Sequence, residues 1–545
     1  MADKIKLKNP SGEDIVKKAK ILKNNRSNWE SYWQEIGDNF MPRKSFIIRN
    51  RTEGERLDFT RIFDSTPVRA LNTMAAGFHS WLTNPASKWF QIVLSNKRLM
   101  ERRDIKGWLS DVEDEIFLTL NGSNWDETIQ EFYVGSGAFG TGFVMTEEDL
   151  RERVRFTALP ISEMLILENV RRKVNEVYRA FEYQAHQAVE RFGNKAGEEA
   201  IKAVAAKKFE QKIEYIHAIF PRHVREVGKR DKQNMPVASV WVVKKTQEII
   251  SEGGFMEFPV ATGRFNKRVS EPWGFSPAMD SLPDARMLQA QSRILIRAAQ
   301  KIVDPPVMLP STGFLLPLNL NASGINYRSI QTDKDAFQTI KTGGDIRLGR
   351  DEINETKEAI NMGMFVRLFQ AFGPITKQMT VPEVQARIRE GMALLGPVVG
   401  RFQQEILDPT IIRVFMILFR AGAFPPIPDI LRGQQFNVRY ISPLAKAQRE
   451  TEISAILRTL QTAGEIALII PEVKDKINAD KTIDIIADVM GAPVEIIRSD
   501  EDVIILRENR AQAEQAIAQA ESIANLGKTA KDISQSEKNL AEAAK

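Results

Sequence analysis

The chain has 545 residues, 43% of them hydrophobic and 27% charged, an ordinary globular balance that excludes wholesale disorder. It contains no cysteine, which excludes disulfides, thiolate metal sites and cysteine nucleophiles together and fits assembly in a reducing cytoplasm. The net charge of +5 sits in an N-terminal arm: residues 1–62 hold 14 Lys/Arg against 9 Asp/Glu, and the remaining residues hold 62 of each sign. A body this neutral lacks the basic patch from which a tight duplex binder draws its affinity.

In chain order, the N-terminus carries lysines but no apolar h-region, so no secretory signal is expected. Ser11 and Asp14 form a capping box that opens a long helix. Trp29, Trp33, Ile36 and Phe40 recur along it at helical spacing as far as Met41-Pro42. A second apolar helix is predicted from about Ser65 to Leu82. The region up to about residue 275 is mixed, with strand character in VRFTAL (154–159) and VASVWVV (237–243).

Within it, GSGAFGTG (135–142) matches G-x-G-x-x-G letter for letter. A dinucleotide fingerprint needs a strand before it and a helix after it, so that phosphate meets a helix N-terminus. Here an amphipathic helical stretch, WDETIQEFYV, precedes it and a hairpin-like stretch follows, so a tight helix-to-strand turn is the better account. The four histidines (His79, His186, His217, His223) show no metal-ligand spacing and read as surface or half-buried residues. Acidic clusters such as Glu147-Glu148-Asp149 lie beside turns and read as solvated charge. No catalytic, cofactor or metal site is expected.

Ser281 and Asp284 start another helix, which runs to Val303, where Asp304-Pro305-Pro306 stops it. Leu288, Leu295 and Ile302 lie on one face and Arg286, Arg293, Arg297 and Lys301 on another. That basic stripe faces DNA, or is a solvated outer face, or pairs with acids on the neighbouring helix such as Glu355 and Glu358. The next stretch, VDPPVMLPSTGFLLPLNLNASG, is too proline-broken for a helix yet dense in apolar residues. Its apolar surface calls for cover by another copy or a partner.

After this insertion Asp351 is taken as the start of a second helix of similar length. The helix has acidic first turns and an apolar stripe at Ile353, Ile360, Met364 and Leu368, and it ends at Gly373-Pro374. Two matched helices bracketing one insertion fit an antiparallel pair with the insertion at its far tip, a thin rod that needs lateral neighbours. The loop 373–380 contains one charge, Lys377, flanked by Thr376, Gln378 and Met379. Thr380 to Glu383 then opens a long bent helical region to about Ala421, with expected interruptions at Gly396-Pro397 and Asp408-Pro409. From Ser442-Pro443 onward the chain reads as helical, ending in an exposed Ala/Gln/Glu-rich helix and a weakly ordered tail. The longest apolar runs are far shorter than a bilayer span, so no membrane span is expected.

The run IFDSTPVRALNTMAAGFHSWLTNPASKWFQI (62–92) strongly resembles the head-to-tail connector (portal) proteins of short-tailed bacteriophages. So do the Trp29/Trp33 helix, TVPEVQARIREGMALLGPVVGRFQQEILDPTIIRVFMILFRAGAFPPIP (380–428) and YISPLAKAQR (440–449). The match runs in order from roughly residue 15 to 510. It departs slightly at Thr380-Val-Pro-Glu383, where the family has Thr-Ala-x-Glu.

The resemblance implies a mixed α+β, mostly helical portal fold that forms a homododecameric ring. In these terms residues 1–280 are a wing, 281–303 stem helix 1, 304–350 a small β-containing clip and 351–372 stem helix 2. Residues 373–380 become a channel loop, 381–442 the second part of the wing, and 443–545 a crown with a possible barrel helix. The implied partners are sister subunits, a terminase motor, tail adaptor proteins, and capsid and scaffolding protein. Double-stranded DNA passes through without sequence specificity. Clip docking would fall to Phe314, Leu315, Leu316 and Tyr327, and the site of action would be the capsid portal vertex, after assembly in the host cytoplasm. The rival reading is a non-catalytic DNA-binding or scaffold protein of a smaller oligomer, which predicts a discrete basic face.

Overall fold

The computed structural model describes residues 9–43, 47–48, 62–100, 102–226, 228–229, 231–303, 307–308, 338–339, 346–370, 395–441, 443–467, 470–490, 498 and 502–519, and isolated residues 528, 531 and 536. The described chain is mixed helix and sheet, as expected, and divides into two compact units. The first comprises Met1–Trp89, Asp114–Phe424 and Ser442–Gln448.

In the first unit, α1 (Gly12–Phe40) opens with the Ser11/Asp14 capping box, both reciprocal hydrogen bonds present. It is followed by α2 (Thr66–Leu82) and α3 (Trp125–Phe139). Gly140 ends α3 in the left-handed conformation (φ 75°), and β1 (Thr141–Asp149) follows at once. The G-x-G-x-x-G run is therefore the end of a helix turning into a strand. Strand β1 pairs antiparallel with β2 (Arg153–Leu159) on one side and with β8 (Val260–Arg264) on the other.

A five-stranded antiparallel sheet is built from β3 (Met164–Glu168), β4 (Val174–Gln184), β5 (Lys212–Pro221), β6 (Val237–Val243) and β7 (Ile249–Phe255), in that spatial order. Strand β6 is the predicted VASVWVV run and is buried at every position, because helices cover both faces of the sheet. Ile15 and Ala19 of α1 pack on Ile216, Ala218, Val240 and Val242. On the opposite face α4 (Ala185–Phe192) and α5 (Glu198–Ala205) pack through small residues, Ala188, Ala200 and Ala203 among them, against Tyr215, Trp241 and Val243.

Phe78 of α2 holds an aromatic centre together. Its ring centroid lies 5.9 Å from Tyr133, 5.9 Å from Phe265, 5.2 Å from Phe369 and 5.5 Å from Phe402, mostly edge to face. Nearby, Arg264 is buried with paired acids. Glu405 accepts from its backbone N–H and Nε, both at 3.0 Å, and from its Nη2 at 2.6 Å. Glu168 pairs with both Arg264 and Lys267.

The expected break at Asp408-Pro409 does not occur, and the one at Gly396-Pro397 adjoins residues outside those described. The helix is continuous from 395 to Arg420, because residues Gln403–Leu407 widen into a π turn in which Asp408 N–H reaches the Gln403 carbonyl. That wider turn accommodates Pro409, which has no N–H to give to the preceding turn. The last stretch, α9 (Asp408–Arg420), ends near Gly422, which has φ 68°.

The second unit comprises Phe90–Glu113, Pro425–Ile441 and Arg449–Lys545. Strand Phe90–Leu94 pairs antiparallel with Phe436–Tyr440. Glu113 Oε1 accepts from the Ile92 N–H at 2.7 Å, and the Trp108 indole N–H donates to the Pro425 carbonyl at 3.1 Å. Its remaining described residues are largely helical, including Ala479–Met490 and 502–519, and Arg507 pairs with Asp480 at 2.8 Å. Residues 507–519 are exposed throughout, as the Ala/Gln-rich composition predicts.

Candidate functional site

The two helices that bracket the insertion are α6 (Leu282–Val303) and α7 (Ile346–Gly363). The second differs from its expected bounds of 351–372. It begins five residues earlier, so 346–350 belong to the helix and not to the insertion. It also stops at Gly363, where Phe365 takes a left-handed φ of 57° before α8 (Val366–Gln370) resumes. The acidic residues from Asp351 onward read as a first turn because carboxylates favour helix N-termini, but they lie within a helix already under way. The only local signal at this break is Gly363, an isolated glycine of a kind that helices tolerate. The break follows from tertiary packing, with Met364, Val366 and Phe369 all buried.

The pair is antiparallel. A Cβ on Gly349 would sit 3.3 Å from Leu295, Thr356 Oγ1 lies 3.1 Å from Gln291 Oε1, and a Cβ on Gly363 would meet Ser281 Oγ at 2.4 Å. As one helix ascends in number, its neighbour descends. At 1.5 Å per residue the 22 residues of α6 span about 33 Å.

The base of this rod is fixed by polar clamps. Gln289 Oε1 accepts from the N–H groups of Phe63 and Asp64 at 2.7 and 3.0 Å, and its amide donates to the Asp64 carbonyl at 2.8 Å. The Lys357 ammonium lies 2.8 Å from the Asp64 carboxylate. Burial by itself raises the Asp64 pKa, but hydrogen bonds from Lys357 and Thr66 outweigh it and hold the carboxyl below its usual range.

Away from the base, the rod is bare. Leu288 is buried, but Ile294 is 66% exposed, Ile302 48% and Val303 86%. The expected continuous apolar face through Leu288, Leu295 and Ile302 therefore holds only near the base. Ile353 and Ile360 of α7, and Met364 just past its end, are buried as predicted.

The basic stripe divides in the same way. Arg286 pairs with Glu35 and the Arg293 guanidinium lies 5.9 Å from the Phe63 ring centroid, while Arg297 and Lys301 are exposed beside Ile296 and Val303. Of the acids offered as partners for the stripe, Glu358 pairs with Arg367. The channel-loop residues Thr376, Lys377, Gln378 and Met379, and the clip residues Phe314, Leu315, Leu316 and Tyr327, lie outside the described residues.

One residue was misread from the sequence. His217 is not at the surface: it is buried in the five-stranded sheet, stacked on Trp241, with Nε2 2.8 Å from Ser239 Oγ. Burial, then the positive fields of Arg191 and Arg179, lowers its pKa to about 3, so the ring is neutral. The alternation in KIEYIHAIFP, which puts His217 on one face with Ile213 and Tyr215, was the available signal. Glu148 is exposed, as expected, and pairs with Arg420 at 2.9 Å.

Among the described residues no group of three His, Cys, Asp or Glu side chains could hold a metal ion, and no helix is long and apolar enough to cross a membrane.

Comparison with known proteins gives this geometry its context. A family model described as bacteriophage head to tail connecting protein matches residues 13–497. The chain is 32% identical over 505 residues to the probable portal protein of Bordetella phage BPP-1, covering 92% of this chain and 91% of the relative. It is 29% identical over 527 residues to the portal protein of Salmonella phage epsilon15, covering 95% of each. The chain thus belongs to the bacteriophage head-to-tail connecting proteins, the portal family of short-tailed phages.

Proposed function

We propose that twelve copies assemble into a ring at one capsid vertex and serve as the passage through which genomic DNA is packaged, retained and later ejected. The α6–α7 rods are the staves that flank the channel. The observation that carries this reading is the rod itself, clamped to its own subunit at one end and leaving Ile294, Ile302 and Val303 exposed at the other. Apolar surface of that kind, on a rod too thin to bury it, is what lateral packing of sister rods would cover.

The charge distribution supports the same reading. A conduit must centre DNA without gripping it, and a chain whose positive excess is confined to residues 1–62 suits passage better than tight binding. Sequence-independent transit needs no base-reading element. In this proposal residues 1–280 and 381–442 form the wing, the insertion after α6 is the clip that docks first the terminase motor and then the tail adaptor, and 373–380 is the channel loop. Residues 443–545 form the crown, which faces the capsid interior. The ring supplies geometry and leaves ATP hydrolysis to the motor.

Deletion of residues 311–345, which leaves α7 whole, tests the docking assignment. The expected product still folds and forms rings but recruits neither motor nor tail. Normal packaging by that variant would overturn the assignment of the clip.

A further inference from the structure

The first unit contains a hollow of about 370 Å³ between the β1–β2 hairpin and the five-stranded sheet. The portal reading makes no use of it. Its walls are set by strand register. On the hairpin, Glu147 and Arg155 are directly opposed cross-strand partners. On the sheet, Arg179, His217 and Trp241 form one row across β4, β5 and β6, each paired with the next. Arg191 closes the side from α4, its guanidinium 4.4 Å from the Trp241 ring centroid and its Nη1 donating to the Tyr183 hydroxyl at 2.9 Å.

Three guanidinium groups from three separate elements thus line one cavity together with a single carboxylate, Glu147. Glu163, which is not part of the wall, engages Arg179 through Nε at 2.7 Å. Arg191 is held by uncharged groups, the Tyr183 hydroxyl and the Trp241 face. The charge of the lining is therefore positive, and His217, embedded in the same wall, is kept neutral by burial first and then by the fields of Arg191 and Arg179. Guanidinium groups converging on a walled volume match the planar, multiply accepting oxygens of an oxyanion. The volume lies in the range of small-ligand sites and is far too narrow for a duplex.

We propose that this inter-sheet cavity binds a small phosphate-class oxyanion, gripped by Arg155, Arg179 and Arg191. Such a ligand ties the hairpin to the five-stranded sheet by charge rather than by apolar packing. Free phosphate and the phosphate of a mononucleotide share this chemistry and both fit the volume.

The test is calorimetric titration of the purified full chain, dialysed into chloride buffer, with inorganic phosphate in one arm and deoxyadenosine 5′-monophosphate in the other. Saturable binding at one site per chain is expected in at least one arm, and the tighter arm identifies the source. R155Q and R191Q should each weaken it by about tenfold or more. Phosphate should raise the melting temperature of the parent protein but not of these variants. R155Q keeps the test usable if R191Q fails to fold, because Arg155 is exposed on the hairpin. No saturable heat in either arm up to about 10 mM ligand, or binding unchanged in R155Q, overturns the proposal.

Discussion

The imidazole of His217 lies flat on the indole of Trp241, ring centroids 4.0 Å apart and planes 11° from parallel. The two residues are register partners on adjacent strands, so the stack is a cross-strand pair of the kind that stabilises sheets. Burial, and then the fields of Arg191 and Arg179, hold the imidazole in its neutral form.

That arrangement makes stability depend on pH. The unfolded chain takes up a proton on His217 near its ordinary pKa of 6.5, whereas the folded chain resists protonation down to about 3. The unfolded state therefore binds more protons between these values, and stability falls as pH is lowered through that window, by up to roughly 1.4 kcal/mol per pH unit from this one group. Urea unfolding at pH 7.5, 6 and 5 should show the decline, and H217Q should flatten it. An H217Q variant with the parent's slope would mean that other groups carry the effect.

Gly137 and Gly140 separate a fold requirement from a nucleotide motif. Gly140 has φ 75°, and a Cβ there would meet the Gly274 carbonyl oxygen at 2.2 Å. G140A should therefore cost about 2–4 kcal/mol, measurable as a lower denaturation midpoint. At Gly137 the added Cβ meets the tip of Met74, which can swing aside, so G137A should be milder. Nucleotide affinity should be the same in the parent and in G137A. Loss of affinity in G137A would revive a phosphate-binding role for residues 135–142.

Glu405 and Arg264 predict a large energetic effect in the first unit. E405A removes the acceptor for the Arg264 backbone N–H and for two guanidinium nitrogens at once, leaving a buried cation with less compensation. The expected loss is about 3 kcal/mol, and E405Q, which keeps the shape but not the charge, should lose less. Equal midpoints for parent and E405A would show that Glu168 alone suffices.

Ile294 and Ile302 report on assembly instead of folding. Both are exposed in the single chain, so I294E and I302E should leave its circular dichroism unchanged and shift its stability by no more than about 0.5 kcal/mol. Placed against a sister rod, the same carboxylates would be desolvated, and light scattering should find the double variant shifted from rings to free subunits. Undiminished rings would place these residues away from the subunit interface.

Much of the architecture was legible where local signals agreed. The Ser11/Asp14 box, the two strands VRFTAL and VASVWVV and the paired helices around the insertion all carry pattern and punctuation together. What was missed followed from packing. Gly363 alone is a weak mark for the point where α7 stops, and Pro409 reads as a breaker unless the π turn at Gln403–Leu407 is known. His217 looked superficial because a lone histidine gives no hint of an aromatic partner some two dozen residues later. Arg155, Arg179 and Arg191 carry no motif either, since only strand register brings them to one cavity.

The central claim is that these chains stand side by side around a hollow axis. Electron micrographs of the purified full-length protein, viewed end on, test it most directly. The account predicts annular particles whose bore exceeds the roughly 20 Å width of a double helix, with about twelvefold symmetry. Compact monomers, or closed particles without a hole, would contradict it.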